Sequence, residues 1–387
     1  MIVESSGVSE MPIRHATWIE LFFDLVAVAG VAQLTHVLRG ETDHGGFWMW
    51  LLLFVAFWIA WSCMTVYGDI AADRVQLGVM LVGMVCLGVM TAAVPEIDEH
   101  ARTFAIAYVI LRMMAGHVWK RGVVIVDLPT IQLLGGVVPW IVSWWTHDPA
   151  RYVLWAAGLT MDLLAILSLS AERLMEGAIQ RVERRGRGRA RPDQPELEGA
   201  RIDSDHLGER LALFVLIVLG EGVVAVVLAS SEPEWNRQLF VTAMSAFALL
   251  VGVWAVAVEF GFAGIPSLRP DAVPPRIVMA LHLVTSGAVA AVVAAVGLAM
   301  DDPTEHMSAG TAVLLGGAVA LFSAVAAVAA RRSDPGWRWF RSWQIPAAVG
   351  AAILAVLGPQ LPVGVVLGSV AVVFLVVAAQ ADRRRRG

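Results

Sequence analysis

Charge is scarce in this chain. Asp, Glu, Lys and Arg fill 16% of the 387 positions while hydrophobic residues fill 58%, against about 25% charged and about 45–50% apolar in an ordinary soluble domain. With a mean hydropathy of +0.70, a soluble globular fold is excluded. Cysteine is nearly absent: Cys63 and Cys86 both sit inside apolar runs, which excludes a disulfide framework or thiolate metal site and leaves them as small packing residues. Alternating ten-residue segments are lacking, so a membrane barrel is excluded too. There is no Walker loop, no GxGxxG after a strand, no GxSxG elbow and no HExxH, so nucleotide-driven pumping, serine hydrolysis and zincin chemistry have no support. The N-terminus has acids where a secretory signal needs a basic region, and Glu20 and Asp24 stand in its first apolar run; it is expected to be retained.

What is present is a series of long apolar runs. In hydrocarbon the backbone must satisfy its own hydrogen bonds, so runs of about 20 apolar residues become helices. They fall at approximately 18–38, 46–67, 75–94, 101–119, 123–145, 150–171, 207–229, 237–260, 277–299, 308–330, 342–358 and 361–380, predicting an all-α polytopic membrane protein with about twelve spans. The fifth run is the weakest, because Pro129, the Gly135-Gly136 pair and Pro139 would kink or break it. The last two are short and parted only by the Pro359–Pro362 turn, so they could instead form a re-entrant hairpin.

Basic residues test this count, since cytoplasmic loops attract them. With the N-terminus inside, the outer loops hold only Arg39, Arg102, Arg151 and Arg237, and Arg112 lies within a span; every other Lys and Arg is on the inner side. The acids Glu96, Asp98, Glu99, Asp301, Asp302 and Glu305 fall in outer loops. Both termini are therefore expected in the cytoplasm, with the chain in a bacterial plasma membrane. The basic, Gly/Pro-bearing stretch from 181 to 204 is expected to be a disordered cytoplasmic linker resting on anionic lipid. It divides the chain into a six-helix half at 1–176, a linker at 177–205 and a second six-helix half at 206–387. Both halves open on similar patterns, HATWIELFFDLV and HLGERLALFVLIVLGEGV, which predicts a parallel internal repeat.

Ionisable residues inside spans are functional-site candidates, because each costs about 2.5–3.5 kcal/mol to insert. Glu20 and Asp24 are one turn apart on one face of the first helix. Glu209 is equally shallow in the seventh, and Glu221 lies about 18 Å further along the axis. Arg112 and Asp162 are near mid-membrane, and Arg112 is the expected countercharge for one of Asp24, Asp162 or Glu221, with a structural pair to Asp162 favoured. Asp69, His117, Asp127, Glu259 and His282 collect towards cytoplasmic ends. The carboxylates either line a path for protons or cations, with Asp24 and Glu221 as the exchanging groups, or form fixed pairs between helices; Glu20 and Glu209 also suit a helix dipole. His206 and Glu209 stand three apart, as in some di-metal sites, but a second such pair is missing and no metal or other cofactor is expected. His117 and His282 fit helix packing or a proton relay. Most of the fifteen tryptophans, including Trp48, Trp50, Trp144, Trp145, Trp235, Trp337 and Trp343, read as interfacial anchors, while Trp58 and Trp61 are deeper and suit packing or a cavity lining.

The ELFFDL string at Glu20–Leu25 and the HxxER…LGE string from His206 to Glu221, together with Tyr108, Arg112 and the basic central loop, resemble the bacterial low temperature requirement A family. The resemblance implies a multi-pass bacterial membrane protein named for a requirement in cold growth. It marks Glu20, Phe22, Phe23, Asp24, His206, Glu209, Arg210, Gly220 and Glu221 as motif residues. Gly222 departs from it, where a small hydroxyl residue is expected after LGE. Three functions follow as expectations: a secondary transporter or ion-conducting protein using Asp24, Glu221 and Arg112; an intramembrane enzyme acting on a lipid or apolar substrate through Glu209 and His206; or a membrane scaffold. Membrane lipids and a small ion or small-molecule substrate are the expected partners, with no nucleic acid. A lipid-sized lateral cavity would favour the enzyme, and an axial polar path would favour transport.

Overall fold

Apolar runs of this length fold as helices wherever glycine and proline allow, and the computed structural model has twelve α-helices among its described residues. These residues are 16–40, 44–71, 75–117, 123–125, 131–169, 173–174, 176–177, 179–180, 198–200, 202–231, 234–333 and 345–386. In order the helices are α1 Trp18–Gly40, α2 His44–Ala71, α3 Leu77–Ala93, α4 Ile97–His117, α5 Val137–Val142, α6 Ala150–Ser168, α7 Ser204–Ser231, α8 Arg237–Trp254, α9 Pro275–Asp301, α10 Ala309–Ser333, α11 Ile345–Leu357 and α12 Val363–Arg386. Two three-residue strands, β1 Val123–Ile125 and β2 Glu198–Ala200, pair in parallel. Most of the expected linker lies outside the described residues, but its end forms β2.

Among the described residues eight helices are long and apolar enough to cross a membrane: α1, α2, α6, α7, α8 with its continuation, α9, α10 and α12. The expected dozen spans is therefore met in helices and not in clear spans. α4 carries Asp98, Glu99, Arg102 and Arg112 in its 21 residues, and α3 and α11 are only 17 and 13 residues long. The fifth run does not form the single expected helix. Its start is β1, and its helical part, from 134 to 145, is a 3-10 turn, the six residues of α5 and a second 3-10 turn. Gly136 lets this segment lie against α6: a Cβ there would lie 2.7 Å from the Gly158 carbonyl oxygen and 2.6 Å from the Asp162 Cγ. The twelfth helix runs on through its arginines to Arg386. Exposed apolar side chains such as Val85, Val227, Phe240 and Val372 cover the outer helix faces, as a lipid-embedded bundle requires.

Successive long helices run up and down, and contacts between their ends fix the order. Tyr152 at the start of α6 donates to Asp98 at the start of α4 (2.6 Å). Arg276 at the start of α9 donates to the Leu169 carbonyl just after α6 (2.7 Å), and Arg385 near the end of α12 pairs with Glu259 beyond α8 (2.9 Å). One end of the bundle thus collects Arg210, Arg269, Arg276, Arg331, Arg332 and Arg383 to Arg386, and the opposite end Asp98, Glu99, Asp301, Asp302 and Glu305. These are called the basic and acidic ends below. α2 and α9 are the most enclosed spans. α1 packs on α2 and α3, α7 on α8 and α9, and the third helix of each set on the fourth. The likeness stops there, since α8 packs closely along α12 whereas α2 meets α6 only slightly.

α4, α5 and α6 are joined by stacked rings. Trp140 and Trp155 lie 4.6 Å apart at 13°, with Tyr108 4.1 Å from Trp140 and Phe104 5.4 Å from Trp155. This stack needs Gly158, where a Cβ would lie 2.5 Å from the Gly136 oxygen and 2.7 Å from the Trp140 ring. Gly158→Ala is expected to destabilise the protein by about 1–3 kcal/mol through overpacking. Gly317→Ala, where a Cβ meets nothing within 4 Å, should stabilise it by about 0.5–1 kcal/mol as an ordinary helix substitution. Unfolding of the detergent-solubilised variants checks both, and equal effects would refute the packing argument.

Candidate functional site

The site grows out of how α1 and α7 begin. Thr17 precedes α1, and both its backbone N–H and its hydroxyl donate to Glu20 Oε2 at 2.8 Å. The third-position carboxylate thus satisfies an orphan donor at the helix start, as in a capping box. Asp203 caps α7 by accepting from the N–H groups of Asp205 (3.0 Å) and His206 (3.3 Å). Its own N–H donates to Asp69 near the end of α2 (2.7 Å). The start of α7 and the end of α2 are thereby locked together at the basic end.

Register does the rest. Glu20 and Asp24 stand i, i+4 on α1, and His206 and Arg210 stand i, i+4 on α7, so each pair shares one helix face. The faces meet. Arg210 grips Asp24 as a fork, Nε to Oδ2 at 2.9 Å and Nη2 to Oδ1 at 2.7 Å, the strong planar form of a charge-assisted bond. Its Nη1 faces Glu20 Oε1 at 3.3 Å. The indole N–H of Trp61 completes Asp24 at 2.8 Å. His206 stands between two carboxylates, with Nδ1 2.6 Å from Asp69 and Nε2 3.7 Å from Glu20. All five charged groups are buried, none more than 4% exposed. Gly68 makes room for them, since a Cβ there would lie 2.6 Å from Glu20 Oε1.

Arg112 goes to a different partner. Its Nη2 donates to Asp162 Oδ1 at 2.9 Å and its Nη1 to Cys63 Sγ at 3.2 Å, while the Tyr108 hydroxyl donates to Asp162 at 3.4 Å. Of the three acids expected to compete for Arg112, Asp162 holds it. Arg112 as partner of Asp24 is thereby corrected: Asp24 is taken by Arg210, which faces it directly from α7.

Asp24 and Glu221 do not meet. Glu221 is half-buried on α7, three turns or about 16 Å beyond Arg210 towards the acidic end. Glu209 is half-buried beside the cluster. Gly222 packs among apolar groups, its missing Cβ within 3.1 Å of Leu250 and Val293 side chains. Phe23 is buried and Phe22 exposed. His282 accepts from the Trp58 indole at Nδ1 (3.0 Å), leaving Nε2 to donate to the Leu211 carbonyl (3.0 Å); both ring nitrogens are occupied. Trp61, Phe214 and His282 form a ring layer above the cluster, Trp61 and Phe214 at 4.3 Å. Among the described residues no group of three or more His, Cys, Asp and Glu side chains is placed to hold a metal ion. His15, Asp127, Trp337, Trp343 and the His117 side chain lie outside the described residues.

On the acidic-end side of the ring layer is a cavity of about 1120 Å³ between α1, α2, α6, α9 and α10. Its walls are Leu, Phe, Trp, Val, Ala and Gly, without an ionisable side chain.

The sequence reading marked Asp24, Glu20 and His206 but missed that Arg210 is their countercharge and that Asp69 closes the cluster. The signal was available in the matched i, i+4 spacing of opposite signs on the first and seventh runs. Removing the guanidinium alone would strand Glu20 and Asp24 in a buried site, so Arg210→Met is expected to cost about 3–5 kcal/mol. The double change Asp24→Leu with Arg210→Met should recover part of that loss. Denaturant unfolding in detergent tests both, and an unaffected Arg210→Met protein would contradict the assigned pairing.

The comparisons with known proteins agree with the family resemblance. The model for the bacterial low temperature requirement A protein matches residues 15–379. An uncharacterized protein of Rhizobium meliloti (strain 1021) is 27% identical over 226 residues, 54% of this chain and 50% of that protein, so the chain spans about half the length of this curated relative. No solved structure matches significantly. With nearly its whole length matched, the chain belongs to the bacterial low temperature requirement A family.

Proposed function

We propose that this protein is a secondary transporter of the bacterial plasma membrane, with both termini cytoplasmic, whose inner side is closed by the buried charge cluster. One observation carries the reading. Every acid in the cluster, Glu20, Asp24 and Asp69, comes from before the central linker, and both bases, His206 and Arg210, come from after it. Such an arrangement does little for the stability of either half by itself, because desolvation offsets much of the Coulomb attraction. It suits a contact that forms when two halves close and breaks when they part. The arginines gathered at the same end support its being cytoplasmic. In transporters built from two repeats, such rocking exposes a central site to each side in turn.

Within this reading the Arg112–Asp162 pair, both members from before the linker, is structural. His206 is the titratable link, since its charge state sets how many attractions hold the closure. Asp24 is held inside the closure by Arg210 and Trp61, and Glu221 stands about 16 Å nearer the acidic end, so the two carboxylates do not form one site. The cavity has the size expected of an enzyme for apolar substrates, but its walls offer no acid, base or nucleophile, which weighs against the enzyme reading.

Distances between spin labels test the rocking without knowledge of the substrate. Labels would be placed on exposed Leu77 and Arg332 at the basic end, and on exposed Glu99 and Glu305 at the acidic end, in a Cys63→Ser, Cys86→Ala background. In Arg210→Gln the first distance should lengthen and the second shorten. Lengthening at the basic end alone would mean local loosening, and the transport reading would then be withdrawn.

A further inference from the structure

The cavity is more than a gap between helices. It is bounded by Leu38 of α1, Leu163 of α6, and longer stretches of α2, α9 and α10. Along α10 it runs from Ala309 to Leu321, twelve residues or about 18 Å. That is close to half of the roughly 30 Å hydrocarbon core, so the cavity has the length of one leaflet. It starts at the acidic end, where Trp48 and Ala309 stand at the first turns of their helices, and stops at the ring layer, where Leu283 adjoins His282.

Its chemistry is as selective as its length. A mostly apolar recess offers water few partners, so it suits hydrocarbon. Nearly all of its lining is hydrocarbon or ring surface, and glycines keep it open: at Gly317 a Cβ would meet nothing within 4 Å. Trp50 gives the wall ring surface, stacking on Phe54 at 5.4 Å, while its Nε1 is sealed away from the cavity.

We propose that this cavity is a binding site for an acyl chain of a membrane glycerolipid from the leaflet at the acidic end. The assignment rests on the cavity itself and goes beyond the transport reading. It extends deeper than the ordinary lipid contact of the outer faces, because five helices wall it in.

The test uses the full-length protein in nanodiscs containing phosphatidylglycerol with a diazirine at the end of one acyl chain, followed by photolysis and peptide mass spectrometry. Crosslinks per residue should be at least fivefold more frequent on Phe54, Leu283, Val284 and Leu321 than on the outer-face residues Val85, Val227 and Val372. Gly317→Phe, which fills open space, should cut the cavity crosslinks at least fivefold and leave those on the outer face unchanged. Equal labelling of cavity and outer face, or cavity labelling indifferent to Gly317→Phe, would overturn the proposal. Spin-label distances in Gly317→Phe keep the two readings apart, because the helices can rock whether or not the chain binds.

Discussion

A charge in hydrocarbon has to be matched, and the contact of Arg210 with Asp24 is where this fold meets that demand most directly. The fork fixes the rotation of α7 against α1 as well as its height, since a guanidinium offers two parallel donors only in one plane. A slip of one residue on either helix would turn one member of the pair away. The surrounding groups follow from that register. Trp61 reaches the same carboxylate from α2, His206 one turn earlier meets Asp69, and Asp69 holds the cap of α7. Hydrophobic packing alone could not specify this alignment, because lipid is as apolar as the helix faces that would compete for it.

Two kinds of buried pair coexist in the molecule. Arg112 and Asp162 lie in the centre of the helices that precede the linker, backed by Tyr108, Cys63 and the close approach at Gly136. Nothing in their surroundings changes partner across the linker. The cluster at the basic end is built across it, with signs segregated by origin. That difference, more than burial or distance, separates a brace from a joint.

Much of this was legible in the chain. Run length and the placement of arginine gave the order and direction of the long helices, because both report the bilayer directly. Glu20, Asp24, His206, Arg112 and Asp162 stood out because ionisable groups are rare inside apolar runs. The interrupted fifth run was legible only as a weakness, since Gly135-Gly136 and Pro139 mark a break without saying that Gly136 backs on Asp162. The partner of each charge was harder to see. Arg112 had three candidate acids, and only tertiary packing chose Asp162. Arg210 was counted with the interfacial arginines because it lies near a helix start, although its spacing from His206 mirrors that of Asp24 from Glu20. The cavity had no signature at all, being made of the same Leu, Val, Ala and Gly as the walls that face lipid.

The carboxylate of Glu20 serves two masters. One oxygen receives the amide and hydroxyl of Thr17, and the other faces Arg210. The first turn of α1 and the junction between α1 and α7 therefore draw on a single side chain, and neither can be rearranged without the other feeling it. Separation of the helices tugs at the coil of α1 where it starts, and fraying of that turn frees the carboxylate to swing. Secondary structure and tertiary contact are in this way coupled mechanically at one residue, so that any shift of α1 against α7 would be felt as winding or unwinding of a few backbone atoms.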